Sequence, residues 1–195
     1  MQMMHWNYFF ALEDDLATLS RYVEFHKDNF KTFSVETVRI LMTAVQEIDV
    51  LLKAVCNHYG AAAANIGSYC DLMTSKYPTI LEAQVALAHH SIVRTPFASW
   101  TQTDPPSWRS ANNKVKHARD TNFSSASLEN AIDAVSALLI VNFYRHEIVE
   151  GEKHFELVRM PRLFNIDCFV TSWGGSGQIF YGIDRVHEYV ERQSR

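Results

Sequence analysis

Eleven positions, Arg109 to Arg119, hold four fixed cations (Arg109, Lys114, Lys116, Arg119), the adjacent pair Asn112 and Asn113, and His117. The first acidic residue after Arg109 is Asp120. These residue types suit cleavage of a phosphodiester in RNA. A neutral histidine can take the proton of a ribose 2′-hydroxyl, because its pKa lies near working pH. Arginine or lysine can hold the phosphate and stabilise the charge that develops on it. Asparagines can position the substrate through hydrogen bonds. The chemistry calls for no metal ion and no other cofactor. The same spacing equally suits a solvated helix face or an interface, and spacing alone does not separate these readings.

The stretch reads as a helix from about Ser107 to Arg119. On it Trp108, Ala111, Val115 and Ala118 share an apolar side. Asn113, Lys116, His117 and Asp120 follow i, i+3, i+4, i+7 on another, with Arg109 within about one quadrant of them. The turn-rich "RTPFASWTQTDPPSW", broken by Pro96, Pro105 and Pro106, delivers the chain into this helix. Ser124, Ser125 and Ser127 are cap candidates for a following helix to about His146, whose apolar positions Leu128, Ile132, Val135, Leu139 and Phe143 have helical spacing.

Upstream, a first helix is expected over Tyr8 to His26, and a second and clearer one from Ser34 to about His58. Ser34 is a good N-cap and Glu36 favours the positive helix end. The seam of the second helix is Val35, Val38, Met42, Val45, Asp49, Leu52 and Cys56, supported by Leu41, Ile48 and Val55. Asp49 stands where a leucine would be expected, and a carboxylate on an apolar stripe is costly without a partner. Three readings are open for it: a local pair with Lys53, an orienting contact to a base or cation on another helix, or exposure through helix rotation. "YGAAAANIG" (Tyr59 to Gly67) reads as a connection. Short helices are expected around Ser68 to Lys76 and Thr79 to Val93, with Pro78 between them.

After Gly151 the texture changes to aromatic and branched residues, in "HFELVRMPRLFNIDCFV" and "QIFYGI" separated by "WGGSG". A small hairpin or strand pair and a terminal helical stub are expected there. The organisation is thus a mainly α bundle over residues 1–150 and a C-terminal β-containing appendage over 151–195.

Composition bounds the function class. In 195 residues, 47% are hydrophobic and 21% charged, as in an ordinary soluble globular chain. The net charge of −4 argues against a nucleic-acid binder working through an overall positive field, and leaves room for one local basic patch. Three dispersed cysteines, Cys56, Cys70 and Cys168, form no metal or disulfide pattern and fit reduced thiols of a cytoplasmic protein. The aromatic N-terminus lacks a basic region and soon meets Glu13, Asp14 and Asp15, so neither a signal peptide nor a membrane span is expected.

The segment "NNKVKHARDTNFSSASLENAIDAVSALLIVNFYR", Asn112 to Arg145, resembles helical proteins of the HEPN superfamily. Their N-x-x-K-H-x-R element precedes an alanine- and leucine-rich helix. "RYVEFHKDNFKTFSVETVRILMTAVQEIDVLLK" is similar to the first half of such domains, where a helix with an inward acidic residue crosses the motif helix. The resemblance covers roughly residues 8–147. It implies a HEPN-like helical bundle that forms a homodimer and acts on RNA as a metal-independent endoribonuclease of a toxin–antitoxin or phage-defence system, with an antitoxin protein as partner. It makes His117 the base or acid and Arg109 and Arg119 the phosphate-stabilising residues. Asn112, Asn113 and Lys116 would then bind substrate, and Asp49 would orient. The family pattern leaves four to six residues between its arginine and histidine; here seven separate Arg109 from His117. That departure keeps a second reading beside the first: a non-catalytic dimerisation module, or one binding nucleotide, RNA or protein, that has lost the cleavage motif.

Other candidates carry structural readings. His89 and His90 are adjacent and would point about a hundred degrees apart on a helix, a poor chelating pair. Gly174, Gly175 and Gly177 lack the strand–loop–helix context of a dinucleotide site and suit a turn. Cys56 lies on the core stripe. Phe155, Phe164, Phe169, Trp173 and Tyr181 would cap the bundle or extend an interface.

Overall fold

Residues 4–61 and 65–193 are described by a computed structural model. Helix α2 (Val35–His58) begins at a reciprocal cap: Ser34 Oγ accepts the Thr37 N–H at 3.1 Å and Thr37 Oγ1 accepts the Ser34 N–H at 2.8 Å. Along it Val38, Leu41, Val45, Ile48, Leu52, Val55 and Cys56 are buried. Val35, expected on the seam, is 76% exposed, because it sits at the first helical position beyond the core's edge. Met42 and Asp49 are half-buried, at the margin of the stripe.

Helix α1 (Met4–Leu19) lies against α2 and ends well before the expected His26. Trp6, Phe9 and Phe10 draw its start into the core. After Leu19 the chain turns, and His26 instead precedes a single 3-10 turn, Lys27–Asn29. His5 and Glu47 form a buried contact between α1 and α2.

Helix α3 (Ile66–Lys76) is capped by Asn65, whose side chain accepts the Gly67 and Ser68 N–H groups, so Gly67 falls inside the helix rather than in the connection. Within that connection, residues 62–64 lie outside the described residues.

The helix expected over Thr79 to Val93 is absent. Pro78 opens a 3-10 turn (Pro78–Leu81), and the chain continues as a hairpin of β1 (Val85–Leu87) and β2 (Ile92–Arg94). His89 and Ser91 make the reversal with φ of 67° and 51°, so the two histidines sit on a turn. The branched residues Val85, Ile92 and Val93 suit strands, and β1 gains a second partner, β4 (Phe164–Asn165), through Leu87 opposite Phe164. Tertiary pairing therefore overrides the helix expected over Thr79 to Val93. Arg94 pins the hairpin to the central helix: its Nε lies 2.5 Å and its Nη2 2.7 Å from the two Asp133 oxygens, and Nη2 also reaches Glu129 at 2.8 Å.

Helix α4 (Ser107–His117) and the short α5 (Arg119–Asn122) lead into α6 (Leu128–Arg145), which Ser127 caps through the Asn130 N–H. Sixteen of the eighteen α6 residues are buried, which makes it the central helix of the bundle. A π-helical turn (His146–Glu150) ends at Gly151, whose φ is +75°.

The remaining chain contributes β3 (Phe155–Glu156), β4, β5 (Val170–Trp173), β6 (Ile179–Tyr181) and α7 (Asp184–Gln193). Strands β3, β6 and β5 form one antiparallel sheet, while β4 joins β1 and β2 in another. Residues 151–193 thus share a sheet with β1 and β2 and a core with α6. Phe143 of α6 stacks on Phe169 at 4.3 Å and also meets Phe155 and Tyr181. Buried Glu13 of α1 accepts the backbone N–H groups of Arg162 and Leu163 at 2.8 and 2.9 Å. The fold is mainly α with a small β region. Among the described residues no helix is long and apolar enough to cross a membrane.

Candidate functional site

Helix α4 is held at its start by Trp108. The indole is buried and donates to the Pro96 carbonyl at 2.9 Å, with Phe97 edge-on at 5.8 Å. Ala111 and Val115 are buried one and two turns on, as their spacing requires. Asn112 is buried as well, at 6% exposure. It belongs with the packing positions and does not share the exposed side expected of a substrate-binding residue. Its step of about 100° from Ala111 keeps it under the adjoining helices.

The helix stops earlier than expected. Ala118 has φ −149° and ψ 67°, its N–H bonds the Lys114 carbonyl at 3.0 Å, and a new short helix begins with Arg119. His117 is therefore the last residue of α4, and Arg119 and Asp120 follow a new direction. Asn122 donates from its side chain to the Ala118 carbonyl at 2.9 Å, which fastens the corner. Asn113, Lys114, Lys116, His117 and Arg119 are all exposed. Three of these, Lys114, Lys116 and His117, crowd the last turn, where the helix end carries partial negative charge.

Two cations of the stretch reach back to α2. Arg109 Nη1 lies 2.9 Å from Asp49 Oδ2, and the side chains are 15% and 39% exposed. The local pair with Lys53 does not form; Lys53 is exposed. Arg119 Nη2 approaches Met42 Sδ at 3.5 Å. Met42 and Asp49 are two turns apart on one side of α2, about 10 Å along its axis. The start of α4 thus meets the later residue and the chain after α4 meets the earlier one, so α4 runs antiparallel to α2. The marginal burial of Met42 and Asp49 follows: α4 and α5 cover that edge of the seam.

The Asp49–Arg109 contact is a single oxygen–nitrogen approach. Asp49 Oδ1 and Arg109 Nε are buried atoms with no hydrogen-bond partner among the described residues. Tyr69 of α3 is buried beside the pair; burial pushes its hydroxyl pKa up, and the Asp49 charge adds to the rise. Within one chain, the eight steps from Arg109 to His117 correspond to about 12 Å along the axis and about 80° around it. The structure brings Arg109 to Asp49, and leaves His117, Lys116 and Asn113 on the open side with Arg119 just past the corner.

The Arg94–Asp133–Glu129 cluster has no counterpart in the sequence reading. Burial raises the Asp133 pKa, against the opposing pull of Arg94. Its signal was the one that marked Asp49: a carboxylate within an apolar run, here "NAIDAVSALL". Among the described residues no group of three or more His, Cys, Asp or Glu side chains could hold a metal ion.

Comparison with family models, with characterised proteins and with solved structures yields no match.

Proposed function

We propose that the chain is a HEPN-like RNA-acting protein that works as a homodimer and cleaves RNA without a metal ion. The observation that supports this reading is the Asp49–Arg109 contact at 2.9 Å. It joins an acidic residue of the α2 seam to the helix that carries the resemblance, on which Asn113, Lys116 and His117 are exposed.

In this reading neutral His117 takes the proton from a ribose 2′-hydroxyl, the 2′-oxygen bonds to phosphorus, and the bond to the 5′-oxygen breaks. A protonated histidine returns a proton to the leaving 5′-oxygen, and arginine stabilises the charged intermediate. Asn113 and Lys116 position the strand. Asp49 fixes Arg109, so less side-chain entropy is lost when phosphate arrives. Arg109 is held on Asp49 and lies about 80° around α4 from His117, so in this reading the histidine meets an arginine across a two-fold axis or works with the nearer Arg119.

A second reading is favoured by the commitment of Arg109 to Asp49 with only 15% of its side chain exposed. There the same face binds RNA, nucleotide or an antitoxin-like protein without cleaving. RNA cleavage in the presence of a chelator separates the two, with the parent compared with His117→Ala, Arg109→Ala and Arg119→Ala. Cleavage lost with His117→Ala supports the enzyme; loss with Arg119→Ala alone moves the phosphate role there. RNA binding without cleavage by the parent protein upholds the second reading and ends the first.

A further inference from the structure

Three helix ends meet at one cavity, whose lining includes no residue of α4. Leu19 ends α1, Ser34 caps α2 and Leu128 opens α6, and all three line a space of about 410 Å³. That volume falls within the range of small-molecule sites, which are commonly apolar with a few polar groups at the edge.

The interior asks for an apolar occupant. Leu19 and Leu128 are core residues, and the half-buried Val23 also lines the space. Polar groups on the wall already have partners inside the protein. Ser34 Oγ takes the Thr37 N–H at 3.1 Å, Thr18 Oγ1 donates to the Asp14 carbonyl at 2.9 Å, and the Thr32 carbonyl takes the Leu128 N–H at 2.7 Å.

The lining also carries charge, in Asp15 and Glu36. Both carboxylates pair with the single guanidinium of Arg39, Asp15 at 2.6 Å, so one negative charge is unbalanced. Their side chains are 33% and 42% exposed, open to a ligand. Partial charges of the helix ends do not reverse this sign. The C-terminal end of α1 opposes the N-terminal end of α2, and the first amides of α6 bond the Thr32 and Phe30 carbonyls. Tyr22 also lines the cavity and is 81% exposed, an aromatic surface that attracts cations.

We infer that this cavity binds an apolar cation: an aromatic or branched aliphatic body inside, with an ammonium or guanidinium group at Asp15 and Glu36. The inference is independent of RNA chemistry at α4.

Phenethylamine, titrated into the isotopically labelled full chain, tests it through the amide resonances of Val23, Thr32 and Leu128. Saturable shifts at these positions are expected, with half-saturation in roughly the millimolar range usual for so small a ligand. Phenylacetate, of similar shape and opposite charge, should bind at least about fivefold more weakly, and Asp15→Asn should reduce phenethylamine binding severalfold. Val23→Trp, which fills the interior, should abolish it. Should that variant fail to fold, Tyr22→Ala alters only an exposed ring and should weaken binding severalfold. A blocked Phe–Lys dipeptide identifies the source: tighter binding than the amine assigns the site to side chains of a protein partner, weaker binding to a free amine. Shifts that do not saturate, or phenylacetate binding as tightly as phenethylamine, would overturn the assignment.

Discussion

Removing Arg94 should be among the most damaging single changes outside the apolar core. Its guanidinium grips both oxygens of Asp133 at 2.5 and 2.7 Å, and its charge lies over the Phe30 ring at 5.2 Å. Asp133 has only 7% of its side chain exposed, so Arg94→Ala strands a carboxylate inside α6 with Glu129 as its charged neighbour. Breaking a buried pair from one side costs about 3–5 kcal/mol. Arg94 is 20% exposed, so water can reach part of the vacated space and the lower half of that range is expected. For a chain of this size each kcal/mol corresponds to roughly 2–4 °C in Tm, giving a fall of about 6–16 °C.

The pH dependence follows from the sign of the Asp133 shift. Its folded-state pKa is raised by burial, while Arg94 pulls it down. A carboxylate raised on folding favours the folded state most below its unfolded pKa and loses that contribution as pH rises through the folded value. Without Arg94 the folded pKa rises further, so the deficit of Arg94→Ala should be largest near neutrality and shrink on acidification towards the carboxylate range. Urea unfolding of parent and variant at several pH values measures it. Arg94→Met combined with Asp133→Leu should return to within about 1 kcal/mol of the parent, because apolar groups of similar volume often replace a buried pair at little cost. A deficit under about 1 kcal/mol for Arg94→Ala, or one unchanged by pH, would refute this reasoning.

Glu13→Ala should leave the Arg162 and Leu163 N–H groups without their acceptor, at about 1–3 kcal/mol for the buried Leu163 amide and less for the part-buried Arg162 amide; hydrogen exchange at these two amides should rise more than at α2. Gly182→Ala would place a Cβ 2.3 Å from the Lys153 carbonyl oxygen, a backbone atom that cannot swing aside. Its cost is expected at about 1–3 kcal/mol, read as a lowered unfolding midpoint. Cys56, Cys70 and Cys168 are buried, and burial pushes the Cys168 thiol up to about 12. A thiol reagent at pH 8 should therefore modify the native protein slowly and all three cysteines rapidly in denaturant; fast reaction of the native protein would contradict this placement.

Helices α2 and α6 were legible because each combines a serine cap with apolar spacing that tertiary packing then uses. The hairpin at Val85–Arg94 was not, since its second pairing partner, Phe164, lies far along the chain. The helix expected over Thr79 to Val93 therefore gives way to pairing with β4 and the grip of Asp133 on Arg94. The site divides in the same way. Trp108, Ala111 and Val115 against Asn113, Lys116 and His117 could be read from periodicity. The break at Ala118 could not, because it depends on backbone angles that nothing in "KHARD" announces. Asp49 was conspicuous as a carboxylate on an apolar seam, but its partner is sixty positions away. No sequence spacing chooses between Lys53 and Arg109 over that distance; the antiparallel crossing of α4 does.

The proposed function requires that the exposed side of α4 and its continuation at Arg119 meet RNA. The most direct measurement is binding of a single-stranded RNA across a range of salt concentrations, by the parent and by Lys116→Glu/Arg119→Glu, both at exposed positions. Parent affinity should fall steeply as salt rises, because phosphate contacts release counterions. The double variant should bind at least about tenfold more weakly, with a shallower salt dependence. Binding that is equal for the two proteins, or no binding by the parent at low salt, would rule out RNA contact through this face.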